Sequence, residues 1–142
     1  MTDVSDFRKS DQWVLFGKRF NVVVKHWQEE PLPPDCSWGR EDGRHRWGVY
    51  GYIFKGHAIF DTIEIHKAWP YTDAPLHAGM SWWDVKRDVN MNVSVFEIGA
   101  DYNHLGDDHH SWHATADDAG EVFRDARALH AWLETATSLE SP

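Results

Sequence analysis

At 142 residues, with 42% hydrophobic and 26% charged side chains, the chain fits one ordinary globular domain, residues 1–142, with enough apolar material for a core. No run approaches the roughly 20 apolar residues of a bilayer span, and the start, Met1-Thr2-Asp3-Val4-Ser5-Asp6, lacks the basic and apolar regions of a signal peptide, so a cytoplasmic protein with no membrane partner is expected. A net charge of −9 argues against direct nucleic-acid binding, which needs a basic footprint, and the single cysteine excludes an internal disulfide and a cysteine-rich zinc site.

Residues 1–11 are polar and expected to fray. Trp13-Val14-Leu15-Phe16 is a short apolar run suited to an edge strand, and Gly17-Lys18 reads as a turn. Phe20, Val22, Val24 and His26 alternate with Asn21, Val23, Lys25 and Trp27, a period of two that predicts a strand. Residues 28–46 are rich in Pro, Gly and charge and predict a long loop. Cys36 lies there in Pro33-Pro34-Asp35-Cys36-Ser37-Trp38, with no helix behind it to activate the thiol, so an incidental thiol is expected.

Trp47 to Phe54 is apolar on both faces, which suits a central strand. Gly48 and Gly51 within it permit bends or close backbone approach. Ile59 to His66 alternates again and predicts another strand, whereas residues 67–79 read as irregular. Asn92 to Ile98 predicts the last strand. Asp118 with Glu121 makes a capping-box-like start to a helix whose stripe is Val122, Ala126, Leu129, Leu133 and Ala136, joined by Phe123 and Trp132. Arg124, Asp125, Arg127 and Glu134 should face water, and residues 138–142 should be loose. The expected fold is α+β: one antiparallel-rich sheet of about four to six strands with a long C-terminal helix packed on it.

Nine Trp and ten His stand out. Indoles half-buried with a bonded N–H either fill a core or make a stacking platform for a ring. Chemistry concentrates in three segments: Gly56-His57, Leu76-His77-Ala78-Gly79-Met80-Ser81, and Gly99 to Asp108. In the last, Asp101, His104 and Asp107 are spaced by three, which brings side chains together on a helical turn. Two carboxylates and an imidazole suit a divalent metal, and His77 or His57 can complete the set from another loop. Loop ordering by Asp side chains accounts for the same residues without a ligand. The run Asp107-Asp108-His109-His110 with His113 can bind metal adventitiously, but reads first as a solvated surface cluster. Phosphate-loop, dinucleotide-binding, nucleophile-elbow and zincin motifs are absent from the sequence.

Gly56-His57, His77-Ala78-Gly79-Met80-Ser81, Gly99-Ala100-Asp101-Tyr102-Asn103-His104-Leu105-Gly106-Asp107 and Phe123-Arg124-Asp125, in this order, resemble a group of uncharacterised small proteins of phages and prophages over roughly residues 46–134. The group's pattern has proline, glycine and an aromatic residue where this chain has Ala58, Ala78 and Ala100. The resemblance implies a phage-type accessory protein acting in the host cytoplasm, and no particular reaction.

Three functional expectations follow. The first is a binding protein, in which His57, His77, Trp82, Trp83, Asp101 and His104 line a pocket for a small polar or nucleotide-like ligand, such as a host signalling molecule to be sequestered. The second is metal-dependent hydrolysis, with a divalent cofactor on Asp101, His104 and Asp107, aided by His77. The third is an acidic inhibitor that engages a basic host protein. A Trp-rich surface also suits a homodimer interface.

Overall fold

Side chains that alternate along a strand give a sheet two chemically different faces, and here one of them becomes the core. The computed structural model describes residues 10–29, 44–65, 70–102 and 107–140. Five strands, β1 (Ser10–Phe16), β2 (Phe20–Gln28), β3 (His45–Phe54), β4 (Trp82–Arg87) and β5 (Val93–Asp101), form one antiparallel sheet in the order β1-β2-β3-β5-β4. A single long helix, α1 (Gly120–Thr135), follows. The fold is therefore α+β, with the Trp13-to-Phe16 run at an edge and the doubly apolar strand in the middle.

Register carries the core across the sheet. Trp13 lies opposite Val24, Val24 opposite Val49, and Val49 opposite Ala100. Helix α1 covers this face through Val122, Ala126, Leu129 and Leu133, each fully buried, and packs on β2 and β3. Removing one such leucine from water contributes roughly 2–3 kcal/mol. Gly51 lets the helix come close: a Cβ there would stand 3.2 Å from Leu133 Cδ1. The other face is open, and on it the Tyr50 ring lies across the bare backbone of Gly48 and Gly99.

Several local expectations are corrected. Ile59 to His66 is not a strand in its described part: Phe60–Thr62 is a short 3-10 helix, because i+3 bonds from Phe60 to His57 and from Thr62 to Ile59 close the chain on itself. Trp82-Trp83, for which the sequence predicts no element, opens β4. Helix α1 starts at Gly120 with Ala119 as its N-cap and no side-chain cap, while the Asp118 N–H donates to Thr115 Oγ1 at 3.2 Å in the preceding turn. The tail is docked: Leu139 is buried, and its carbonyl accepts from Thr72 Oγ1 and the Asp73 N–H. Cys36 and most of the long loop lie outside the described residues. Among the described residues, no helix is long and apolar enough to cross a membrane.

Candidate metal centre

Two segments that are distant in the chain meet beside the end of β5. The first is the turn before β4, where Gly79 N–H bonds back to the Leu76 carbonyl at 3.0 Å and Ala78 and Gly79 both take positive φ, +55° and +86°. That tight turn carries His77. The second is the short 3-10 helix Asp108–Trp112, preceded by Asp107. Side chains three apart eclipse in such a helix, so Asp107 and His110 stand side by side. The Trp47 indole N–H holds this segment against β3 by donating to the His113 carbonyl at 3.0 Å.

At the junction, His77 Nε2 donates to Asp107 Oδ1 at 2.8 Å. The His77 ring stacks on Tyr102, centroids 4.3 Å apart and planes 16° from parallel. Tyr102 in turn donates its hydroxyl to Asp125 Oδ2 of α1, so the expected water-facing Asp125 is a second support of the site. Burial and that carboxylate push the Tyr102 phenol far up, which keeps it a hydrogen-bond donor.

His110 overturns the expectation of a solvated histidine run. It is 1% exposed, and its buried Nδ1 has no hydrogen-bond partner among the described residues. Burial, reinforced by neighbouring His109, holds its pKa below the ordinary histidine value. A neutral imidazole with an open lone pair is a metal ligand in waiting. His77, Asp107 and His110 each offer one ligand atom, all within 4.8 Å of one another. A tetrahedral zinc ion with bonds of about 2.0–2.2 Å would set its ligand atoms about 3.3 Å apart, within that spread. His109, His110 and Glu121 form a second, more exposed grouping that shares His110.

The other expected residues are placed elsewhere. Asp101 sits on β5 between Ala100 and Tyr102, both buried on the helix side, so its carboxylate falls on the open face. Burial, with the Asp101 and Glu97 carboxylates close by, pushes the Tyr50 phenol there up to about 12. The Asp101 N–H donates to Ser81 Oγ, which pins the His77 turn to β5. His57 is a structural staple: its Nε2–H donates to the Leu133 carbonyl at 2.8 Å and its Nδ1 accepts from the Ile59 N–H at 3.0 Å. Trp82 and Trp83, adjacent on a strand, point to opposite faces; Trp83 stacks on Phe96 at 5.5 Å, whereas Trp82 is 45% exposed. His104 lies outside the described residues. Asp107 is thus the member of the expected metal set with a described cluster around it, and its partners are His77 and His110. Sequence reading placed His110 in a solvated run and gave Tyr102 no role of its own; the Asp107-x-x-His110 spacing was the available signal.

No protein-family model matches this chain, nor does any curated protein or solved structure.

Proposed function

We propose that the chain is a metal-binding domain of the hydrolytic type, holding one divalent transition-metal ion, zinc by preference, on His77, Asp107 and His110. The observation that carries this reading is the buried Nδ1 of His110, which has no hydrogen-bond partner among the described residues, beside the His77–Asp107 pair. Two nitrogens and one oxygen suit zinc, and three protein ligands leave a fourth position, the arrangement of catalytic rather than structural sites. Held by His77, Asp107 and His110, such an ion would supply Lewis-acid activation of water, whose pKa zinc sites lower to about 7. The residues supply the rest. Tyr102, fixed by Asp125, orients the His77 ring from below, as outer partners of metal ligands do. His77 is a quarter exposed and opens the site to solvent, while His110 is sealed from it. In the free protein the His77 Nε2–H points at Asp107 Oδ1, so an ion held between them would require the other His77 tautomer, with its hydrogen on Nδ1.

The test is metal analysis and native mass spectrometry on protein purified without a polyhistidine tag, followed by zinc titration and assays on simple esters and phosphoesters. One zinc per chain is expected. Asp107→Asn and His110→Ala should each weaken zinc binding by about 100-fold, and Tyr102→Phe by about tenfold. Zinc uptake unchanged in His110→Ala would refute the site. Turnover that survives chelation would refute the hydrolytic role while sparing the metal.

A second reading, ligand binding without turnover, is favoured by a cavity of about 550 Å³ lined by Lys18, Arg19, Phe20, His57 and the C-terminal end of α1. That size suits a small molecule, and its two cations suit an anionic one. It keeps His57 from the expected pocket and a phage-type sequestering role. A ligand recovered intact and lost in Arg19→Ala, with zinc without effect, would establish it.

A further inference from the structure

On the helix-covered face of the sheet, at the end away from the β1–β2 turn, a line of three side chains crosses β1, β2 and β3. Asp11 lies opposite His26 in the register, and Asp11 Oδ2 stands 3.5 Å from His26 Nδ1. His26 Nε2 lies 2.8 Å from His45 Nδ1. His26 is 4% exposed and stacks on Trp47 at 4.4 Å, so its ring is fixed in place.

The tautomers follow from this order. A carboxylate facing Nδ1 favours the hydrogen of His26 on that atom, which leaves Nε2 as an acceptor. His45 must then donate from Nδ1, and its lone pair lies on Nε2. His45 is partly exposed, and its Nε2 takes part in no hydrogen bond among the described residues. Arg44 and Arg46 flank it, the first bonded to the Glu29 carbonyl and the second paired with the Glu29 carboxylate at 3.2 Å.

We propose that His45 is a second reactive site, a nucleophile for activated esters, with His26 as the positioning residue that takes up its proton and Asp11 as the carboxylate that orients His26. When Nε2 attacks an ester carbon, an N–C bond forms and the bond to the leaving oxygen breaks with its electron pair. The Nδ1 proton of His45 passes to His26 Nε2, and the resulting imidazolium faces Asp11. This is the logic by which a carboxylate-oriented imidazole is activated. His26 faces His45, with Asp11 behind it, while Arg44 and Arg46 are its chain neighbours; burial first, then the charge of His26 and these arginines, hold the His45 pKa below the ordinary histidine value. The site shares no residue with the proposed metal centre.

Diethyl pyrocarbonate tests the proposal without a known substrate. It transfers an ethoxycarbonyl group to the nucleophilic nitrogen and releases ethyl carbonate, and peptide mass spectrometry reads each histidine. In the intact protein at pH 7, His45 should react about tenfold faster than the exposed His109. Asp11→Asn, a surface change that leaves the fold intact, should slow His45 about fivefold, leave His109 unchanged and move the His45 pH–rate midpoint to lower pH. His26→Gln, which keeps a hydrogen bond but cannot carry the proton, should slow it at least as much. His45 reacting no faster than His109, or keeping its rate and midpoint in Asp11→Asn, would overturn the proposal; if His26→Gln does not fold, the Asp11→Asn comparison decides alone.

Discussion

The turn that aims His77 rests on one uncomfortable residue. Ala78 takes φ +55°, where its Cβ crowds the backbone, and the following Gly79 takes +86° freely. A left-handed conformation costs an L-residue roughly 1–2 kcal/mol, and glycine avoids that cost while losing more freedom on folding. The net expectation for Ala78→Gly is a gain of about 0.5–1 kcal/mol, seen as a rise of a few degrees in Tm by calorimetry, with zinc uptake unchanged or improved. A fall in Tm would mean that the turn is not left-handed at this position. The chain thus keeps, with an alanine, a conformation that glycine would favour.

At the scale of elements, His57 is where a functional expectation gives way to a structural one. Its ring joins the Phe54-to-Ile59 turn to the last carbonyls of α1, satisfying both the buried Leu133 carbonyl and the Ile59 N–H. His57→Ala leaves both groups without partners, at roughly 1–3 kcal/mol each. The expected result is a drop in Tm of about 10 °C in a thermal melt, with zinc binding intact in the folded protein. A variant that keeps its Tm but loses an anionic ligand would instead place His57 in a binding site. The same comparison shows why some elements were legible in the sequence and others were not. The alternation of Phe20 to His26 and the stripe Val122 to Leu133 follow from burial on one face, which periodicity records directly. The alternation of Ile59 to Ile65 records no sheet face, because local i+3 bonds and the His57 ring claimed the backbone first. The three-residue spacing of Asp101, His104 and Asp107 suggested a helical turn, but Asp101 is still in β5, where parity turns it away from Tyr102. His110 read as surface because its neighbours are polar. Its burial is tertiary, set by the Trp47-to-His113 bond and by the closeness of His77 and Tyr102, neither of which any local pattern encodes.

Across the whole molecule, the titratable groups with shifted pKa values sit at both ends of the pH scale and together bound the range of stability. His45 and His110 are both held below their ordinary value of 6.5, first by burial, then by His26, Arg44 and Arg46 at His45 and by His109 at His110. The unfolded chain therefore binds more protons than the folded one below that value, and stability falls as pH drops from about 6.5 towards the folded pKa. Tyr50 and Tyr52 on the open face lie at the other limit. Burial, with Asp101 and Glu97 near Tyr50 and Glu97 bonded to Tyr52, raises both phenols from 10.0 to about 12. There the folded chain keeps protons that the unfolded chain has released, so stability falls as pH rises from 10 towards 12. Urea unfolding followed by tryptophan fluorescence should give a plateau between these limbs. Tyr52→Phe should flatten the alkaline limb, and His45→Asn the acid limb, each without moving the other. Tyr52→Phe removes a hydrogen bond to buried Glu97 and therefore lowers the plateau itself by about 1–2 kcal/mol, which separates loss of the bond from loss of the titration. An alkaline limb unchanged in Tyr52→Phe would mean that the open face of the sheet does not hold its tyrosines against ionisation, and that Glu97 is kept out of water by something other than the phenol beside it.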